Sequence, residues 1–182
     1  MEKTNNQSVY WAHLIHEGWK MYIAATEKGL CYVGSQNQSF DELSQWAKKY
    51  LSYHNLVQNN EELQPYATEL IEYLQGERQA FTLPIDLHGT SFQLSVWDAL
   101  SKIPYGRTYS YSGIAKYIEK PDAIRAVGTA IGANPALITV PCHRVIGKNG
   151  ALTGYRGGLD MKIALLTLEK VKFNKEDRMT DV

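Results

Sequence analysis

The chain has 182 residues, enough for one large domain or two small ones, and its 44% hydrophobic and 21% charged residues are those of an ordinary globular protein. No apolar run approaches the roughly 20 residues of a membrane span, the opening "MEKTNNQSVYWAH" is polar and acidic rather than a secretion signal, and two distant cysteines, Cys31 and Cys142, make neither a disulfide framework nor a thiolate-rich zinc site and fit a reducing cytoplasm. The net charge is zero, but residues 1–89 carry six basic and eleven acidic side chains and residues 90–170 carry ten and five, so the halves either neutralise each other across an interface or leave a basic face for a polyanion.

In chain order, "YWAHLIHEGWKMYIAATEKGLCYVGS" reads as strands separated by hairpin turns at Glu17-Gly18 and Lys28-Gly29. "SFDELSQWAKKYL" reads as a helix with Ser39 as N-cap, Glu42 completing a capping box, and Leu43, Trp46, Ala47 and Tyr50 on one apolar stripe. "LQPYATELIEYLQG" is a second helix stopped by Gly76, and "FTLPIDLHG" is extended, its proline favouring an edge strand or a linker. Residues 1–88 therefore suggest a small α/β domain.

After Gly89 the pattern becomes mostly helical. "TSFQLSVWDALSKI" is a helix capped by Thr90 or Ser91 with Phe92, Val96, Leu100 and Ile103 on its apolar side, broken by Pro104-Tyr105-Gly106. "SYSGIAKYIEK" is a short helix. Pro121, in the favoured first-turn position, opens a helix through "PDAIRAVGTAIGAN", and Asn134-Pro135 closes it. The pair suggests a helix-turn-helix. "LDMKIALLTLEK" is the last helix of a second domain over residues 89–172, and residues 173–182 form a polar tail.

The helix after Pro121 carries two distinct faces. Ile124, Val127 and Ile131 fall on one side and should meet the core, while Arg125, Gly128, Thr129 and Gly132 fall together on another. Each interior glycine costs about 1 kcal/mol relative to alanine. Such a bare face serves either close packing of another helix or close approach of a nucleic-acid backbone, with Arg125 as the one protruding side chain.

"ITVPCHRVIGKNG" (138–150) holds Cys142 in an apolar stretch. A packed core thiol is the plain reading. A nucleophile needs a base or a positive neighbourhood, for which His143 and Arg144 are the nearby candidates. In a strand, residues 142 and 143 would point to opposite faces, so a turn after Pro141 or a bridging water would be needed for His143 to take the thiol proton. The imidazole would in turn need a carboxylate, and Glu169 is the in-domain candidate.

"PCHRVIG" resembles the active-site segment of the O6-alkylguanine-DNA alkyltransferases, also called methylated-DNA–protein-cysteine methyltransferases. The resemblance runs in order through "FQLSVWDAL", "IPYGRTYSY", "RAVGTAIGANP", "PCHRVIGKNGALTGYRGGL" and "LLTLE". It implies a ribonuclease-H-like N-terminal domain with a small antiparallel sheet, and a winged-helix-like C-terminal domain. It implies irreversible transfer of an alkyl group from O6 of guanine in double-stranded DNA to Cys142, and leaves O4 of thymine open as a further source. One protein molecule would act once, as a monomer, without metal or cofactor. On the same resemblance His143 is the base acting through water with Glu169 behind it, and Asn134 braces the active-site turn. Tyr111 contacts the flipped guanine, and Arg125 fills the gap it leaves. The carbonyls of Cys142 and Val145 read the guanine amino group, and the loop at Tyr155 and Arg156 closes over the base with the Arg156 N–H near O6. Many relatives carry a small residue at that position, so the Arg156 side chain is expected to alter pocket width or add a phosphate contact.

Three other readings compete. A non-enzymatic helix-turn-helix regulator has no need of the thiol, a Cys-His-Glu hydrolase would turn over without DNA, and a dead alkyltransferase-like binder would lack the acceptor cysteine. His13, His16, His54 and His88 read as structural or surface residues, and His13 and His16 with Cys31 supply too few ligands for a metal site.

Overall fold

Alternation along the first strands shapes the N-terminal half. In a computed structural model that describes residues 7–172, β1 (Ser8–His16), β2 (Trp19–Thr26) and β3 (Gly29–Val33) form an antiparallel meander. The expected turn at Glu17-Gly18 has both residues at positive φ, 43° and 86°, which matches strand twist in a two-residue hairpin. The second turn lies at Glu27 and Lys28, with Gly29 already opening β3. Ala12 and Leu14 pair with Ile23 and Met21 and face one side; Val9 and Ala24 face the other. Both sides are apolar, so both are covered. A fourth strand, β4 (Asn55–Gln58), adds to β1 in parallel, giving the order β3-β2-β1-β4.

Helix α1 (Phe40–Tyr50) covers the Val9 side with Leu43 and Ala47. Ser39 caps it, but Glu42 closes no capping box. Its carboxylate accepts from Tyr32 and Ser35 on the far side instead. Helix α2 (Asn60–Leu74), on the other face, begins three residues before the expected "LQPY" because Asn59 accepts from Glu62 N at 3.1 Å; Pro65 sits inside it, and Gly76 at φ 78° follows its end. The extended segment after it runs beside β3, with Leu30 N donating to Pro84 O at 3.0 Å.

The C-terminal half is helical. Helix α3 (Ser91–Ser101) starts at a reciprocal capping box between Thr90 and Gln93. A two-residue strand, β5 (Tyr109–Ser110), leads into α4 (Tyr111–Tyr117), capped by Ser110. A turn through Glu119, at φ 61°, leads into α5 (Ile124–Gly132). Pro121 thus belongs to the turn and not to the first helical turn. Helix α5 begins at Ile124, which is 44% exposed, so the core stripe is Val127, Ala130 and Ile131 and not the expected Ile124, Val127 and Ile131. Trp97 ties α3 to α5 through a 2.8 Å bond from its indole N–H to Ala130 O. A 3-10 turn at Cys142–Arg144, the strand β6 (Val145–Ile146) parallel to β5, and α6 (Leu159–Leu168) complete the fold. One apolar core joins the halves, running from Leu14 and Tyr73 to Trp97, Val127 and Cys142. No helix among the described residues is long and apolar enough to cross a membrane. The expected polar tail, 173–182, lies outside the described residues.

Candidate active site

The end of α5 and the following proline force a tight reversal. Asn134 is fully buried; its Oδ1 accepts from Ala136 N at 3.0 Å, while its Nδ2 donates to Val140 O at 2.9 Å and Cys142 Sγ at 3.1 Å. Ile138 is held at φ 69°, a costly conformation for a β-branched residue, and only a surrounding this dense sustains it. Pro141 then starts the 3-10 turn, so Cys142 and His143 do not alternate as they would in a strand. No hydrogen bond joins Cys142 Sγ to His143 among the described residues. Cys142 is a core residue by packing and faces a braced turn. The packing fits the core-thiol reading, and the Asn134 contact leaves the nucleophile reading open.

His143 Nε2 faces the seam between the halves. That nitrogen lies 3.2 Å from Glu169 Oε1 and 3.4 Å from the Tyr73 hydroxyl, and Nδ1 is buried without a hydrogen-bond partner. Burial lowers the imidazole's basicity against the pull of Glu169, so the ring is neutral at neutral pH. With Nε2–H directed at a carboxylate, Nδ1 carries the free lone pair. Glu169 directly follows α6 and is 3% exposed. It accepts from Tyr73 at 3.0 Å, from Arg144 Nε at 2.9 Å and from Arg144 Nη2. Burial works against its charge, but the hydrogen bonds from His143 and Arg144 and the positive charge of Arg144 outweigh it and hold its carboxyl at about 2.

Arg144 is thus committed to Glu169 and to Ile103 O at 2.7 Å, and supplies no positive charge at the thiol. Burial pushes the Cys142 thiol up; Asn134 Nδ2, Arg156 and Lys162 oppose it. Lys162 is fully buried, lowered by that burial to about 8, and donates to Val145 O at 2.6 Å and Thr153 O at 3.0 Å. The Tyr155 hydroxyl is buried without a partner, and burial keeps it neutral. Tyr111 opens α4 beside Gly128, whose added Cβ would lie 3.8 Å from its ring, and its hydroxyl accepts from Thr153 at 3.2 Å. Arg125, Thr129 and Gly132 are exposed, and nothing lies within 4 Å of a Cβ placed on Gly132. The face is therefore open at Gly132 and borders the Tyr111 ring of α4 at Gly128.

Arg156 departs from expectation. Its guanidinium is turned inward, the side chain 21% exposed. It runs into the seam between the halves, bonding Val33 O at 2.8 Å and Glu42 at 3.1 Å. A phosphate contact from this side chain is therefore ruled out in this arrangement. Tyr73 and Lys162 escape a reading of the sequence, and Glu42 shows there only a capping signal: each looks locally like an ordinary helix residue, and only the far-off partner gives it meaning.

A buried thiol braced by Asn134 and a turn-joined pair of helices with an exposed, side-chain-poor face thus occur in one half of the chain. The family model for the DNA-binding domain of 6-O-methylguanine DNA methyltransferase matches residues 91–171, and the model for its ribonuclease-like domain matches residues 9–87. The chain belongs to this family. It is 58% identical to the inducible methylated-DNA–protein-cysteine methyltransferase of Bacillus subtilis, over 92% of the chain and 94% of that protein. It is 40% identical to the constitutive one of that organism, over 84% and 96%. Mycobacterium tuberculosis O6-methylguanine methyltransferase has the same fold, with a TM-score of 0.75 and 37% identity over 92% of this chain and 96% of that one. The M. tuberculosis OGT in complex with DNA matches at 0.74 and 37%, over 88% and 92%.

Proposed function

We propose that the chain repairs DNA by direct reversal, moving the alkyl group of O6-alkylguanine in double-stranded DNA onto Cys142. Residues 89–172 carry DNA binding and the acceptor, and residues 1–88 support them. The observation that carries this reading is the 3.1 Å contact from Asn134 to the Cys142 sulfur, in a turn flanked by the neutral His143. The bare face of α5 lies against DNA, Arg125 enters the base stack, and the damaged guanine leaves the duplex because a buried sulfur cannot reach a stacked base. A weakened base pair lowers that cost of a few kcal/mol.

His143 Nδ1 takes the thiol proton through an intervening water. The sulfur then attacks the alkyl carbon, the S–C bond forms as the C–O6 bond breaks, and the electron pair passes into the guanine ring. Tyr111 supports this departure: its hydroxyl already accepts from Thr153, which leaves its own proton free to donate to the base. The carbonyls of Cys142 and Val145 and the Arg156 N–H line the base pocket, with Tyr155 closing it; Val145 O also receives Lys162. The product thioether has no good leaving group, and Cys31, buried in the other half, cannot resolve it. The protein acts as a monomer in a reducing cytoplasm. With excess O6-methylguanine duplex, methyl loss from DNA should stop at one per protein molecule. Continued loss would contradict the single use of Cys142, and no loss would overturn the function.

A further inference from the structure

All three nitrogens of the Arg156 guanidinium are used. Nε donates to Asn134 O at 3.1 Å, Nη2 to Val33 O at 2.8 Å and Pro135 O at 3.1 Å, and Nη1 to Glu42 Oε1 at 3.1 Å. Its carbon lies 5.3 Å from the centre of the Tyr32 ring. Glu42 is itself fixed by Tyr32 Oη at 2.6 Å and Ser35 N at 2.8 Å, and Ser35 Oγ donates back to Arg156 O at 3.3 Å. A planar fork satisfies this spread of acceptors, and a flexible ammonium does not. Two of those acceptors belong to the reversal that aims Asn134 at Cys142, and Arg156 itself follows Tyr155 in the loop over the thiol. Val33 on β3 also bonds this reversal, its N–H to Pro135 O at 3.0 Å.

We propose, resting on the alkyl-transfer reading, that Arg156 is a positioning residue through which the N-terminal domain holds residues 134–142 and the Tyr155 loop in reacting geometry. The connection runs from Glu42 on α1 through the guanidinium to the Asn134 backbone, and from the Asn134 side chain to sulfur. The positive charge also opposes the effect of burial on the thiol. Geometry and charge are separable by substitution. Arg156→Lys keeps the charge and loses the fork, Arg156→Ala loses both, and Glu42→Gln keeps Arg156 and removes its ion-pair partner in the other domain.

Single-turnover methyl transfer from an O6-methylguanine duplex, across DNA concentrations, gives the saturating rate and the half-saturation point separately. Iodoacetamide alkylation of Cys142 against pH, without DNA, reports the thiol. Arg156→Ala should slow the saturating rate about tenfold with the half-saturation point moved less than about twofold, and should shift the iodoacetamide midpoint upward. Arg156→Lys should restore that midpoint while the rate stays several-fold low. Glu42→Gln should slow the rate in the same direction, and combined with Arg156→Ala should add nothing. If Arg156→Ala does not fold, Arg156→Lys and Glu42→Gln carry the same rate test. Saturating rates equal to wild type in these two variants, or fully additive losses, would overturn the proposal. Wild type that leaves the methyl on DNA would instead overturn the alkyl-transfer reading, while the iodoacetamide series still reads the thiol.

Discussion

The Glu169 carboxylate collects Tyr73 from one half of the molecule and His143 and Arg144 from the other, in a seam closed to solvent. Its carboxyl is held at about 2 against an ordinary 4.5. A lowered carboxyl stabilises the fold above the unfolded value, and that stabilisation is lost as pH falls through the folded value. The loss is on the order of 3 kcal/mol between roughly pH 5 and 2, at about 1.4 kcal/mol for each pH unit between the folded and unfolded values. Protonation of the buried His143 adds to it in the same direction. Urea midpoints over this range should show the acid loss in wild type. Glu169→Gln should flatten it and cost about 3–5 kcal/mol at neutral pH, because Arg144 is left buried without its counter-charge. An equal acid slope in the variant would refute this assignment. At this scale the sequence singled out Cys142, His143, Asn134 and Glu169, because they lie within ordered, specific motifs, and the structure pairs Asn134 with Cys142 and His143 with Glu169. Tyr73 and Lys162 carried no such signal. One looks like a helix-face aromatic and the other like a surface lysine, and only long-range packing buries them.

Helix α5 keeps its bare face at a cost to its own stability. A Cβ on Gly128 would meet the Tyr111 ring at 3.8 Å, an ordinary contact, so Gly128→Ala should fit. It should raise unfolding stability by about 0.5–1 kcal/mol, the helix-interior difference between the two residues. If the face meets DNA closely, the same change should weaken duplex binding several-fold, by titration with labelled duplex. Stability and affinity rising together would contradict the role given to this helix. The helices were legible through their stripes and caps, as with Thr90 and Gln93 on α3. Three local signals were overridden. Pro121 went into a turn, Glu42 was drawn from its capping position to Tyr32 and Arg156, and Ile124 fell beyond the core's edge. Strand β4 has four residues, none of them fully buried, and so left no alternation to read.

Across the whole molecule the opposite charges of the two halves find part of their use in the seam, where Glu42 of the acidic half meets Arg156 of the basic half. Arg125 stays outside, exposed on α5. The interface and polyanion readings of that asymmetry are therefore compatible. The shared core from Leu14 to Cys142 makes the N-terminal half part of the surroundings of Cys142, which explains why a sequence resemblance concentrated after residue 90 left out the contacts made by Tyr73 and Glu42. The central claim is that Cys142 receives the alkyl group. Its most direct test is the mass of the peptide containing Cys142 after incubation with O6-methylguanine duplex. One added methyl on that peptide, with the methyl gone from DNA, is the predicted result. An unchanged peptide with the methyl still on DNA would contradict it.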